Sequence, residues 1–150
     1  MSLKVSENNQ RKRDNGLIIE PDFGWLGPKP ANTKAEKIHQ IKTEFIDERA
    51  LLIEGAKASD FPEYPHVSAT ISVQDLIRYV DTLNETNSFL VIEDLDKVPT
   101  SEQEKFVPLV KDRQILSSKL PSKIQILIPI KDTEPVLREI QSLTFPLKVA

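Results

Sequence analysis

The stretch Ser88-Phe-Leu-Val-Ile-Glu-Asp-Leu-Asp-Lys-Val-Pro99 decides the fold, because an apolar run ends there abruptly in clustered carboxylates. Residues 89–92 are four consecutive apolar residues, which is typical of a strand buried on both faces, as in a parallel sheet covered by helices. Open α/β sheets carry their chemistry at the carboxyl ends of such strands. Glu93, Asp94 and Asp96 follow directly, so the stretch predicts a parallel sheet and a candidate site together.

Strand and helix patterns alternate on both sides of this stretch. The predicted strands are 50–54, 67–71, 89–92, 123–130 and 145–149, and the predicted helices are 32–49, with Asn32 as N-cap, 72–83, 101–112 and 133–143. This alternation predicts a three-layer αβα sandwich with a mostly parallel sheet of about five strands and right-handed crossovers. Pro146 suits an edge strand, because its missing N–H breaks no ladder there.

Three prolines bear on the predicted helices. Two prolines close together make 60–65 a loop. Pro108 lies inside the predicted helix 101–112 and should bend it or shift its start. Pro135 falls in the first turn of helix 133–143, with Asp132 or Thr133 as its cap, where a missing N–H costs nothing.

Composition limits the classes of function. A chain of 150 residues with 39% hydrophobic types suits one domain, and a net charge of −3 gives no footprint for nucleic acid or an anionic membrane. No apolar run reaches the roughly 20 residues of a membrane span, so we expect a soluble, cytoplasmic protein. Zero cysteines exclude disulfides and thiolate metal sites. His39 and His66 stand in different segments, and His66, after Pro65, is predicted in a loop.

The amino-terminal part differs from the remainder in composition. Residues 1–16 are polar and basic without periodicity and are predicted to be a disordered tail. Residues 17–31 are predicted to be an extended arm rich in proline and glycine, and 32–150 a single α/β domain. Phe23 and Trp25 in the arm must bury somewhere, either on the domain itself or as anchors for another protein.

From about residue 46 onward, the order of elements resembles the core of the AAA+ ATPases, a branch of the P-loop NTPases. The stretch 89–99 looks like the Walker B strand of that family, with its two acids swapped. The resemblance implies that Glu93 stands where the family has the aspartate that holds Mg²⁺ through water. It implies that Asp94 stands where the family has the glutamate that polarises the attacking water.

The phosphate-binding segment differs from the family pattern. The Walker A motif G-x-x-x-x-G-K-[ST] wraps phosphates with backbone N–H groups and neutralises them with its Lys. At the corresponding place this chain has Gly55-Ala-Lys-Ala-Ser59, followed by the loop 60–65 instead of a helix. Gly55, Lys57 and Ser59 are therefore the candidate residues for binding a nucleotide.

Two further family positions also differ. The polar sensor residue would fall near Lys131 or Asp132, and Thr144 occupies the place of a trans-acting arginine. Phosphoryl transfer depends on positioning and charge stabilisation, and a site without the family's phosphate loop, sensor residue and arginine has little with which to supply them. The resemblance therefore predicts a non-catalytic, degenerate AAA+-like domain without cofactor. Such a domain would act as a protein-binding or regulatory module, with another protein or a second copy as partner.

Two enzymatic alternatives stay open. Glu93, Asp94 and Asp96 are candidate ligands for Mg²⁺, which prefers oxygen, in a Mg²⁺-dependent enzyme of phosphate chemistry. Alternatively, a partner subunit completes an ATPase site, so that ATP and Mg²⁺ are cofactors and Glu93 and Asp94 are catalytic. In the structural alternative, the two aspartates cap the following turn while Glu93 pairs with Lys97 or Lys131.

Overall fold

The computed structural model describes residues 33–149 and divides them between two compact units. In the first unit, the described residues are 33–44 and Val149, and helix α1 (Lys34–Thr43) is its regular element. The second unit, Phe45–Lys148, carries the sheet. The predicted tail and arm, including Phe23 and Trp25, lie outside the described residues, and the domain boundaries stay a prediction.

The second unit alternates strands and short helices. Its strands are β1 (Ala50–Glu54), β2 (His66–Ser68), β3 (Phe89–Glu93), β4 (Gln114–Ile115), β5 (Ser118–Lys119), β6 (Gln125–Ile130) and β7 (Thr144–Lys148). Its α-helices are α2 (Val73–Thr82), α3 (Thr100–Gln103), α4 (Val107–Asp112) and α5 (Arg138–Leu143). Three-residue 3₁₀ turns span Ala58–Asp60, Leu95–Lys97 and Glu104–Phe106.

Five strands form one parallel sheet in the order β2-β3-β6-β1-β7. The predicted three-layer α/β architecture with about five mostly parallel strands is confirmed. Strand β7 lies at an edge of the sheet, as the proline within it indicates, and β4 pairs with β5 in a separate antiparallel hairpin. No helix in residues 33–149 is long and apolar enough to cross a membrane.

Both faces of the central strands are buried, as the apolar runs predict. Alternate residues, among them Leu52, Leu90 and Ile128, belong to one large core cluster with side chains of α2, α4 and α5. Their sequence neighbours, such as Leu51 and Leu127, are equally buried, and their alternation in a strand places them on the opposite face of the sheet. The strand ends are therefore held at fixed positions by packing.

Helix α1 is shorter than the predicted helix 32–49, and Thr33 rather than Asn32 is its N-cap. Beyond Thr43 the backbone is no longer helical, and hydrogen bonds from side chains fix its conformation. The carboxylate of Asp47 accepts bonds from the backbone N–H (2.9 Å) and guanidinium (2.8 Å) of Arg49. These bonds raise the pKa of Arg49. Short polar side chains that bond the nearby backbone compete with helix formation, so the prediction for 44–49 is wrong.

Prolines shape the two helical segments around the site. The predicted helix 101–112 is divided into α3, a 3₁₀ turn and α4, and Pro108 lies in the first turn of α4, which confirms its predicted effect. The predicted helix 133–143 begins only at Arg138. The side chain of Gln103 accepts the N–H of Leu137 (2.7 Å) and donates to the carbonyl of Pro135 (2.8 Å). Residues 133–137 therefore form a turn, and the predicted cap at 132–133 is wrong.

Candidate functional site

The candidate site is the carboxyl edge of the sheet, where β3, β6 and β1 end side by side. The last residues of these strands are Glu93, Ile130 and Glu54. Parallel strands bring their following loops to the same edge, so the loops after residues 54, 93 and 130 surround one region of the surface. The predicted site residues of the second unit lie in those loops.

Glu93 forms an ion pair with a residue of the neighbouring strand. Its Oε2 lies 2.9 Å from Nδ1 of His66, and the other ring nitrogen, Nε2, lies 2.9 Å from the carbonyl oxygen of Phe61. Both ring nitrogens thus lie within hydrogen-bond distance of an oxygen atom. The predicted pairing of Glu93 with a lysine is wrong, and His66 begins a strand instead of lying in a loop.

Asp94 and Asp96 have different partners from Glu93. Asp94 has left-handed backbone geometry (φ 62°), and its carboxylate is 59% exposed and 3.5 Å from Nζ of Lys97. The carboxylate of Asp96 accepts the backbone N–H groups of Lys131 (2.8 Å) and Asp132 (3.3 Å). Asp96 therefore caps the chain where it leaves β6, and Asp94 makes no side-chain cap of the turn that follows it.

The carboxylates of Glu93, Asp94 and Asp96 thus contact three different parts of the protein. Within residues 33–149, no three His, Asp or Glu side chains are grouped closely enough to hold a metal ion. Glu93 and Asp96 each use one carboxylate oxygen for these contacts, Oε2 and Oδ2. The arrangement can fix loop conformation, because each acid neutralises or caps a group on another element.

The segment between β1 and β2 contains the candidate nucleotide residues. Gly55 has a φ of 92°, which glycine adopts without steric cost, and its N–H donates to the carbonyl of Ile130 at 2.8 Å. The N–H of Lys57 donates to the carboxylate of Asp60 at 2.8 Å. Ser59 lies in the 3₁₀ turn and is exposed. Two backbone N–H groups of this loop are therefore occupied by acceptors of the protein itself.

Glu54 and Gln103 belong to the site although the sequence patterns did not single them out. One carboxylate oxygen of Glu54 accepts the hydroxyl of Thr133 (3.2 Å), and the other lies 3.9 Å from Nζ of Lys148. Gln103 is fully buried, and its amide also donates to the carbonyl of Val98 at 3.0 Å. The position of Glu54 at a strand end was a usable signal, whereas nothing near Gln103 in sequence indicates its distant partners.

The remaining sequence candidates are placed as follows. Thr144, at the position of the family arginine, is only 2% exposed, and its hydroxyl donates to the carbonyl of Gln141 at 3.1 Å. Tyr79 on α2 lies near the site, where burial raises its pKa and a backbone hydrogen bond with His66 lowers it by less. Phe23 and Trp25 lie outside the described residues.

Comparison with known proteins supports the fold. The chain is similar to a RuvB point mutant from Thermotoga maritima, with a TM-score of 0.53, 12% identity, and 76% of this chain and 42% of that chain covered. It is also similar to a DNA polymerase III gamma-subunit-related protein from the same organism (TM-score 0.49, 16% identity, 79% and 46% covered). The chain thus spans less than half the length of either structure.

The similarity to the RuvB structure concerns the fold alone, which is an α/β fold of the AAA+-like, P-loop NTPase-like kind. No protein-family profile and no curated protein sequence matches the chain. The similarity defines a class of fold, and function has to be argued from the site.

Proposed function

We propose that this chain carries an AAA+-like domain that does not hydrolyse nucleotide and acts as a protein-binding or regulatory module in the cytoplasm. The observation that carries the proposal is the segment 55–65. A phosphate loop needs free backbone N–H groups and a helix N-terminus directed at the phosphates. Here β1 is followed by a three-residue 3₁₀ turn whose entry N–H, at Lys57, bonds to Asp60.

Acidic residues at the carboxyl edge of the sheet also favour a domain that does not hydrolyse nucleotide. Glu54, Glu93 and Asp96 all lie within or directly after the strands that end there, and their carboxylates bind other parts of the domain. Negative charge repels a triphosphate, and phosphoryl transfer needs cations placed on the developing charge. The buried Thr144 supplies no cation at the position where the family has its arginine.

The test is calorimetric titration of the full chain with ATP and with ADP, each with and without Mg²⁺, together with thermal unfolding. We expect no heat of binding at millimolar nucleotide and an unchanged melting temperature. A nucleotide present at 100 times its dissociation constant would instead add about 2.7 kcal/mol of stability. Micromolar binding that disappears in Lys57→Ala would overturn the proposal.

Two further experiments test the enzymatic alternatives, a Mg²⁺-dependent enzyme and an ATPase site shared between subunits. Titration with Mg²⁺ alone, on the wild-type chain and on Glu93→Gln, tests a metal site at the carboxylates, and we expect the two titrations to be equally flat. Phosphate release measured at increasing chain concentration tests a site shared between copies, because such a site forms only on association. Release that rises steeply with concentration and is lost in Asp94→Asn would show a shared ATPase site.

A further inference from the structure

The hairpin formed by β4 and β5 has an apolar residue in an unfavourable position. Leu116 is 72% exposed and has a φ of 53°. Of the two residues in this tight turn, only Leu116 has a positive φ, an arrangement that normally selects glycine. A leucine at this position is sterically disfavoured and also leaves its side chain in water.

The base of the hairpin is nevertheless rigid. The guanidinium of Arg113 donates to the carbonyls of Pro121 (2.8 Å) and Ile124 (2.6 Å), and the N–H of Leu120 donates to the carbonyl of Arg113 (2.8 Å). Ile115 is 3% exposed and packs in the core cluster. The hairpin therefore presents its tip in a fixed conformation, which lowers the entropic cost of binding.

Basic residues flank the tip in the sequence. Residues 111–123 contain four basic residues and one acidic residue, a local charge of +3 in a chain whose net charge is −3. Lys111, Lys119 and Lys123 are all exposed. No aromatic side chain occurs in 111–123, so this segment itself offers no ring on which a nucleic-acid base could stack.

We propose that the hairpin tip, defined here as Leu116 with the lysines at 111, 119 and 123, is a docking surface for an acidic protein segment with a small apolar pocket. Leu116 fills the pocket, and the lysines steer and orient the acidic partner. A strained residue that persists at an exposed position is more readily explained by function than by stability. This inference rests on the proposed role in protein binding and names its surface.

The test begins with a diazirine-bearing amino acid at position 116 of the full chain, irradiated in an extract of the source cells. The same amino acid at position 73 is the control, because Val73 is also aliphatic and exposed (43%) but lies in a helix. We expect one protein to be cross-linked from position 116 and not from position 73. Equal labelling from both positions, no labelled protein, or labelling of nucleic acid would overturn the proposal.

The labelled protein is then purified and titrated against variants of the chain. Leu116→Gly should weaken binding about tenfold or more, as for a central anchor residue, while the melting temperature stays the same or rises because glycine tolerates the positive φ. Leu116→Met should retain the affinity, since it preserves the apolar volume. Lys119→Glu should weaken binding at low salt and much less at high salt.

Equal affinity of the wild-type chain and Leu116→Gly would overturn the docking surface. That failure is distinct from failure of the proposed function, which is decided by nucleotide titration and phosphate release. A chain that releases phosphate from ATP and also loses its partner in Leu116→Gly would retain the docking surface and lose the non-hydrolysing role.

Discussion

Two loops at the same edge of the sheet are held in different ways. The segment 94–106, after β3, is tied to distant parts of the chain by side chains, because Asp96 bonds to residues 131 and 132, and Gln103 bonds to residues 98, 135 and 137. The segment 55–65, after β1, has local bonds from Lys57 to Asp60 and from Phe61 to Ala58, and its backbone also bonds to residues 130 and 91 of the neighbouring strands. In the first loop side chains make the distant bonds, whereas in the second loop backbone groups make them.

The difference bears on the proposal that the domain does not hydrolyse nucleotide. Acidic residues after β3 resemble those of a nucleotide-hydrolysing site, yet their contacts are with the protein itself. The contacts of Asp96 join the turn after β3 to the end of β6, whereas Asp94 contacts Lys97 within that turn. The acids at the end of β3 therefore have structural partners within the fold.

Among the tests of this comparison, substitution of Gln103 has the largest expected effect on stability. Gln103→Leu keeps the apolar volume but leaves two carbonyls and the N–H of Leu137 without their partner in the interior. Unsatisfied buried polar groups cost about 1–3 kcal/mol each before relaxation, so we expect a loss of roughly 3 kcal/mol in the free energy of unfolding by urea denaturation.

The matched control is Gln74→Leu, because Gln74 is exposed on α2. We expect a change within about 0.5 kcal/mol for this variant, as is usual for surface substitutions. If Gln103→Leu costs no more than the control, segment 94–106 is not held by its buried amide, and the contrast between the two loops disappears.

Substitutions of Asp94 and Asp96 are expected to change stability less. They distinguish a carboxylate that caps backbone N–H groups from one that is exposed. Asp96→Asn loses the charged acceptor of two backbone N–H groups and should lower stability by about 1 kcal/mol. Asp94→Asn should change stability by less than about 0.5 kcal/mol, because asparagine tolerates the left-handed backbone and the ion pair with Lys97 is exposed.

Thermal unfolding of both variants with and without MgCl₂ extends this comparison. We expect Mg²⁺ to leave the wild-type melting temperature unchanged. Stabilisation by Mg²⁺ that is lost in both variants would mean that the acids converge on a metal, contrary to their separate partners in the structure.

The regular parts of the fold could be predicted because their signals are local. The apolar runs that became β1, β3 and β6 indicate buried strands by themselves, and the side chain of Ser72 caps α2 as its sequence suggests. Strand β2 is predicted at 67–71 but spans His66–Ser68, so the prediction starts one residue late and runs three residues too far. No local pattern predicts the hairpin at 114–119, since Leu116 is not a residue that turn chemistry favours.

The site was predictable only in part, because its contacts join residues far apart in the chain. Glu93, Asp94 and Asp96 were found from the end of an apolar run, but their partners were not. Asp96 bonds 35 positions away to Lys131. Glu93 pairs with a histidine on the neighbouring strand, and that pairing follows from sheet order, which no local pattern contains.

Substitution of Tyr64 has the smallest expected effect on stability. Ionisation of this tyrosine tests whether segment 55–65 is packed against the sheet. Its ring contacts Phe89 edge to face, with centroids 4.8 Å apart, and burial, with a smaller effect of Glu63, raises its pKa. The chain has only two tyrosines, so absorbance titration of Tyr79→Phe reports Tyr64 alone, and Tyr64→Phe reports Tyr79. We expect both to ionise above the ordinary value of about 10.

The sign of the stability effect follows from that direction. A tyrosine whose pKa is higher in the folded state binds its proton more tightly there, so its contribution is complete below the unfolded value. This contribution to stability falls as the pH rises from the pKa of the unfolded state through the pKa of the folded state. Alkaline unfolding should therefore be shallower in Tyr64→Phe than in the wild type. If Tyr64 instead titrates at its ordinary value, segment 55–65 opens to solvent, and the backbone N–H groups now bonded within the protein become available to a phosphate.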